Sequence, residues 1–187
     1  KEHRINLADF LHKEINKIEG LKTFPNEDGV DHVYYLFPIR YDKEIVGLSR
    51  NLFVKSVNKE FLDANGWESV PLTEGYVKPL YLNPIYQQKI AIGKKGFPFN
   101  FNKGIEYDYS MGTCPNVEKA YFEELIITPL VREPLTISAM KDLITAIKKV
   151  MKYSKEIAKA FPDNSETEIT TPVSISSSGN VRWKQII

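Results

Sequence analysis

Residues 74–87, EGYVKPLYLNPIYQ, place Tyr76, Tyr81 and Tyr86, Pro79 and Pro84, and Lys78 in one short stretch with neither helical nor strand periodicity. Aromatic side chains at that density belong either to a core or to a surface that does chemistry. The other reactive residue types give less. His3, His12 and His32 are far apart, and none stands in a metal-ligand spacing with Cys114 or a carboxylate, so no zinc site is expected. Cys114 precedes Pro115 at a helix start, where a dipole could lower a thiol pKa, but it reads first as a small buried thiol. Glu123 and Glu124 are adjacent, so on a helix they point about 100° apart and read as a solvated face.

Two lysines between glycines in GKKGFPFNFNKG, 93–104, could hold a phosphate, and Phe97, Phe99 and Phe101 alternate as in a short strand. No GxxxxGK[ST], GxGxxG or GxSxG pattern accompanies them, so neither a nucleotide loop nor a hydrolase nucleophile is supported. Lys141, Lys148, Lys149, Lys152, Lys155 and Lys159 decorate a long amphipathic helix and read as its solvated face rather than a nucleic-acid patch.

Composition sets the frame for these residues. With 187 residues, 42% hydrophobic and 26% charged, the chain fits a folded domain. A net charge of +1 argues for neither nucleic acid nor membrane as partner. The single cysteine rules out an intramolecular disulfide and agrees with a cytoplasmic location. No apolar run approaches the roughly 20 residues of a membrane span, and the charged first ten residues predict no signal peptide. A start on a charged helix without methionine suggests a fragment of something longer.

Periodicity predicts a helix over 4–19, with Ile5, Ala8, Leu11, Ile15 and Ile18 on one stripe and Gly20 as terminator. A strand follows over 32–41, with Pro38 at an edge, a bulge or the strand's end. A second helix spans 49–65 with Ser49 as N-cap and the stop at Asn65-Gly66; WESVPL, 67–72, is a short strand. Residues 89–113 read as a long loop, functional or mobile. CPNVEKAYFEEL is a helix with Pro115 in its first turn, LIITPL a strand, and Thr136 to about Phe161 the longest helix. Val173, Ile175, Val181 and Trp183 alternate about SSSGN as a β-hairpin. The expected class is α/β (α+β): a small sheet covered by helices over 1–161, with a hairpin-bearing tail over 162–187.

The order RINLADFLHKEINKIEGL, HVYYLFPIRYD, FLDANGW, EGYVKPLYLNPIYQ, CPNVEKAYFEELIITPL and EPLTISAMKDLITAIKKV resembles the C-terminal part of the DegT/DnrJ/EryC1/StrS sugar aminotransferases. These are fold-type-I enzymes dependent on pyridoxal 5′-phosphate. The resemblance covers about residues 4 to 152, and CPNVE looks like the family's Cys-Pro-x-Ala-Glu segment. It implies transfer of an amino group from glutamate or glutamine to a nucleotide-linked keto-sugar, in a homodimer with sites at the subunit interface.

The same resemblance implies that the cofactor lysine, the aspartate under the pyridine nitrogen and most phosphate ligands lie in a separate N-terminal domain. This chain would then carry no catalytic residue and hold no cofactor tightly alone. Where the family often has a His-Tyr-x-Pro-Leu-His-like run, this chain has YVKPLY. Tyr76 and Tyr81 stand where histidines are common and Val77 where a tyrosine is common. Tyr76, Lys78 and Tyr81 are thus the implied substrate contacts: a tyrosine can donate a hydrogen bond and stack on a sugar face, and Lys78 can meet a carboxylate or diphosphate. Packing tyrosines with their hydroxyls at the rim are the alternative. Arg40 could pair with an anionic substrate or form a surface salt bridge. The rival to the whole reading is a free-standing, non-enzymatic binding module.

Overall fold

The computed structural model describes residues 1–24, 26–30, 32–61 and 70–162. Its first helix, α1 (Glu2–Ile15), buries Ala8, Leu11 and Ile15 of the predicted stripe and also Leu7, while Ile5 is half-buried. Ile18 is buried just beyond it, and Gly20 turns the chain at φ +84. A Cβ at Gly20 would lie 2.7 Å from Cγ2 of Val46, so glycine is required there by both space and backbone.

Four short strands make one antiparallel sheet in the order β1-β2-β4-β3. Strand β1 (Leu21–Thr23) pairs with β2 (Phe37–Tyr41) in the register Leu21↔Tyr41. The predicted strand over 32–41 is therefore formed only in its second half. Pro38 lies near the strand's start, one residue beyond the Thr23↔Ile39 pair that ends the β1 ladder. Phe37, Ile39 and Tyr41 are buried on one face, while Arg40 points outward.

Helix α2 (Lys43–Val46) is a single turn capped by Asp42, whose carboxylate accepts from the Glu44 and Ile45 amides at 3.0 and 3.3 Å. Helix α3 (Arg50–Asn58) starts at Ser49, whose hydroxyl accepts from the Leu52 amide at 3.2 Å, as its N-cap position predicts. The expected stop at 65–66 and residues 67–69 of the expected strand lie outside the described residues. Within reach, the strand pairing falls slightly later, at β3 (Thr73–Glu74).

The one-turn helix α4 (Pro84–Gln87) precedes the 89–113 loop, whose described pairing is one isolated bridge, Ile92↔Phe97. The phenylalanines do not alternate as a strand. Phe97 and Phe101 are exposed with their rings 5.9 Å apart, whereas Phe99 joins a half-buried cluster with Tyr86, Tyr107 and Tyr109.

Helix α5 (Pro115–Lys119) places Pro115 at its first position, as expected, and then widens into a π turn over Ala120–Glu124. Strand β4 (Leu125–Thr128) follows in the sheet centre. Helix α6 (Ile137–Lys152) buries Met140, Leu143, Ile144, Ala146, Ile147 and Val150; Thr136 is its N-cap residue but makes no side-chain capping bond. The long helix bends at Tyr153 and resumes as α7 (Ser154–Ala160). Hydrogen bonds carry across the bend, from the Tyr153 amide to the Lys149 carbonyl and from the Ile157 amide to the Tyr153 carbonyl.

One apolar cluster joins α1, α3 and α6 to the sheet face that carries Phe37, Ile39, Tyr41 and Ile126. The result is a small mixed helix-and-sheet domain with an antiparallel sheet, the α+β form of the expected class. Among the described residues no helix is long and apolar enough to cross a membrane. The predicted hairpin at 173–183 lies outside the described residues.

Candidate functional site

The sheet end where β4 begins is flanked by Arg40 and by Gly75, the residue before Tyr76. Arg40 on β2 pairs with Leu125 from one side, and the Gly75 amide donates to the Leu125 carbonyl at 2.7 Å from the other. By strand spacing the two flanks lie roughly 10 Å apart. Gly75 delivers the chain directly into Tyr76 and Lys78. It must be glycine: its φ is +63, and a Cβ would lie 3.0 Å from the Tyr121 carbonyl oxygen and 3.1 Å from its ring.

The π turn opposite is held by Arg50, the first residue of α3, only 6% exposed. Its Nη1 donates to the carbonyls of Tyr121 and Leu125 at 2.7 and 2.9 Å, and its Nη2 to that of Phe122 at 2.9 Å. Nε donates to Asn51 Oδ1 at 2.8 Å. Carbonyls at a helix C-terminus have lost their intrahelical partners, and the negative end of the dipole favours a cation there. Burial lowers the Arg50 pKa from its ordinary value, and Glu74, Tyr121 and Glu123 oppose that shift. A guanidinium stays charged regardless.

Arg40 is exposed, and its Nε donates to Glu124 Oε2 at 3.1 Å. Lys119 reaches the other oxygen of Glu124 at 2.9 Å. Lys119, and then Arg40, hold the Glu124 carboxyl below the usual range. Glu124 is therefore a bridging carboxylate rather than part of a purely solvated face. Tyr76 is 46% exposed, and Lys78 is exposed with no hydrogen bond or ion pair among the described residues.

Tyr81 is placed differently. Its hydroxyl donates to Glu118 in a short hydrogen bond. Glu118 also accepts from the Gly112 amide at 2.8 and 3.0 Å and from the Cys114 amide at 3.2 Å. Burial, and then the bond to Glu118, push the Tyr81 phenol up to about 12. The CPNVE segment thus works as a clamp: its glutamate reaches back over its own helix start and fixes Tyr81 across the gap. Of the four expected contacts, Tyr76, Lys78 and Arg40 are exposed, while Tyr81 is engaged within the protein. The Cys114 thiol is half-buried beside this clamp.

A second constellation, around His12, escaped the sequence reading, which weighed the histidines only as metal ligands. His12 lies 2.7 Å from Thr23 Oγ1 through Nδ1 and 3.3 Å from the Tyr34 hydroxyl through Nε2. The Tyr34 hydroxyl donates to Asn26 Oδ1 at 2.7 Å, and Asn16 Nδ2 donates to Thr23 Oγ1 at 2.8 Å. Burial lowers the His12 pKa; Asp9 opposes this and His32 adds to it. A neutral imidazole carrying its proton on Nε2 satisfies the whole chain: Thr23 donates to Nδ1, and Nε2–H donates to Tyr34. Only the aromatic contacts of His12, with Tyr34 at 5.8 Å and Phe37 at 4.8 Å, hint at its placement on the core's rim. Among the described residues no cluster of histidine, cysteine, aspartate and glutamate could hold a metal ion.

Fold and sites define a small mixed α/β domain with an aromatic, cation-bearing sheet end and a separate polar cleft. No protein-family model matches the sequence. The chain is similar to the uncharacterized protein MJ1066 of Methanocaldococcus jannaschii, 21% identical over 155 residues, which cover 83% of this chain and 33% of that protein. The chain therefore spans about a third of the length of the curated relative it matches.

Proposed function

We propose that this chain is the C-terminal portion of a pyridoxal-phosphate-dependent sugar aminotransferase, moving an amino group from glutamate or glutamine to a nucleotide-linked keto-sugar. The observation that carries the reading is the distribution of exposed apolar side chains. Of the 18 large hydrophobics exposed among the described residues, 12 fall between Tyr76 and Phe122. Tyr76, Val77, Leu80, Ile92, Phe101 and Met111 are among them, each between 46% and 72% exposed. Large apolar side chains left exposed in such number along one segment support a reading in which another body covers that segment. The occupant in this reading is the larger cofactor domain of the same polypeptide, in keeping with a relative about three times as long as the matched segment. The ordered resemblance of the six segments, CPNVE included, supports the family.

In this reading the cofactor is held outside this chain. Lys78 and Lys119, the lysines of the sheet end, are exposed, whereas an amine that bonds a carbonyl is activated by desolvation or by a cationic neighbour. Cofactor chemistry belongs, in this reading, to the rest of the enzyme. This chain's part is to wall the cleft. Lys78 offers an unpaired ammonium to a diphosphate or carboxylate, Tyr76 a half-exposed ring and hydroxyl to the sugar, and Arg40 a second cation shared with Glu124.

The test is expression of the whole gene product that contains this chain, with pyridoxal phosphate and a panel of nucleotide-linked keto-sugars. Cofactor-dependent amino transfer is expected. Lys78→Met and Tyr76→Phe should raise KM for the sugar nucleotide about tenfold, with cofactor binding intact. A gene product that binds no pyridoxal phosphate overturns the assignment, and unchanged kinetics in both variants removes the substrate role of this stretch.

A further inference from the structure

On the opposite edge of the sheet, a cleft of about 550 Å³ opens between α1 and the segment after β1, lined by Asp9, His12, Lys13, Asn16, Lys17, Thr23 and Asn26. We propose that this cleft binds a neutral, polyhydroxylated ligand, a glycosyl unit or a comparable polyol. The inference does not depend on the aminotransferase reading of the sheet end.

The floor of the cleft is fixed in advance. His12, Thr23, Asn16, Tyr34 and Asn26 form one continuous hydrogen-bond chain, in which each side chain restrains the next. The Asn16 carbonyl oxygen also accepts from the Thr23 amide at 2.9 Å. Tyr34, at the centre, is 3% exposed and adopts a φ of +45, uncommon for a residue with a side chain. Arg4 holds it there by donating to its carbonyl at 2.9 Å. Backbone strain maintained by several surrounding contacts clusters where groups must be held for a ligand.

The groups left over define what would bind. Asp9, His12, Lys13 and Asn16 follow at spacings of three, four and seven, so they share one face of α1. The Asp9 carboxylate and Lys13 ammonium make no hydrogen bond or ion pair among the described residues. Asn26 uses its carbonyl oxygen on Tyr34, which leaves its amide N–H groups as donors. Lys17 pairs with Glu14 at 2.5 Å, and the other Glu14 oxygen lies 3.8 Å from Lys148.

Among the described lining residues Asp9 offsets Lys13, and Lys17 is drawn to Glu14, which stands outside the lining. An anion would meet Asp9 and a cation would meet Lys13. A hydroxyl both donates and accepts, so neighbouring hydroxyls can donate to Asp9 while accepting from Lys13 and Asn26. The aliphatic stems of the two lysines offer apolar surface to the C–H face of a sugar ring.

The experiment is an NMR titration of the full chain with methyl α-glucoside, N-acetylglucosamine and myo-inositol, and separately with inorganic phosphate and glutamate. At least one neutral polyol is expected to shift the amides of residues 9–16, Thr23 and Asn26 and the His12 ring in a saturable manner. Asp9→Ala and Lys13→Ala should each weaken that binding about tenfold or more. Neither side chain supports the fold by a bond of its own, so both variants should keep the parent melting temperature. Saturable shifts with phosphate or glutamate alone, shifts elsewhere in the molecule, no response to any polyol, or full affinity in both folded variants would overturn the proposal. Binding of a polyol here also remains readable if the gene product binds no pyridoxal phosphate.

Discussion

The Arg50 guanidinium donates to the Tyr121 carbonyl at 2.7 Å, so a cation at the start of α3 closes the far end of the π turn. The same side chain reaches Phe122 and Leu125, which fixes where β4 begins and hence where Arg40 and Gly75 flank it. Arg50→Met keeps the stem but takes the shared cation from three carbonyls, of which that of Leu125 retains the Gly75 amide. It should destabilise the protein by about 3 kcal/mol in urea unfolding. Arg50→Lys restores a charge without the planar fork and should recover only part of the loss. A Met variant as stable as the parent would show that the π turn stands without its cation.

Gly75→Ala tests the close approach of the 74–87 stretch to that turn. The new methyl meets the Tyr121 carbonyl oxygen at 3.0 Å, in a backbone conformation that costs a residue with a Cβ about 1 kcal/mol by itself. Strain and crowding together should cost about 2 kcal/mol. The change should also displace the amide signals of Tyr76 and Tyr121 more than those of α1. Thermal unfolding and an amide spectrum read both effects.

Glu60 and Lys149 give a pH signature. Glu60 is 8% exposed, one of its oxygens has no partner among the described residues, and Lys149 lies 3.0 Å from the other. Burial, only partly opposed by Lys149, raises the Glu60 carboxyl from its ordinary 4.5 to about 7. A carboxyl with a raised folded pKa holds its proton more tightly in the fold than in the open chain. Its contribution to stability is complete below about pH 4.5 and declines as pH rises through about 7. Glu60→Gln cannot ionise. It should match the parent near pH 4 and exceed it by about 1–2 kcal/mol near pH 8. A constant difference at both pH values would assign the effect to packing instead.

The helical stripes were legible because burial imposes a period. Leu11 and Ile15 on α1, and Met140, Ile144 and Ile147 on α6, could be placed from spacing alone. Strand β1 was not legible, since three residues, Leu21–Thr23, are too few to show alternation. Nothing in AYFEE separates a π turn from an α-helix; the wider turn is held by Arg50, distant in sequence. Lys149 reads as one more solvated lysine until the turn after α3 brings Glu60 beside it. The site followed the same rule. The sequence named Tyr81, but only the fold shows Glu118, 37 residues on, receiving its hydroxyl.

That Tyr81–Glu118 pair carries the last prediction. The Tyr81 bond, helped by the Gly112 and Cys114 amides and opposed by burial, holds the Glu118 carboxyl below the usual range. A depressed folded pKa gives stability that is present above the unfolded value and is lost as pH falls through the folded one. On acidification the Gly112 and Cys114 amide signals should therefore titrate together, with one midpoint below that of an ordinary glutamate. Tyr81→Phe should move that midpoint upward, because the largest cause of the depression is gone, and Glu118→Gln should abolish the transition at both amides. The Tyr81 phenol should in turn ionise only near pH 12 in the parent and earlier in Glu118→Gln, as followed by ultraviolet absorbance. Amides that titrate independently, or a midpoint unmoved by Tyr81→Phe, would mean that CPNVE closes its helix without holding the tyrosine.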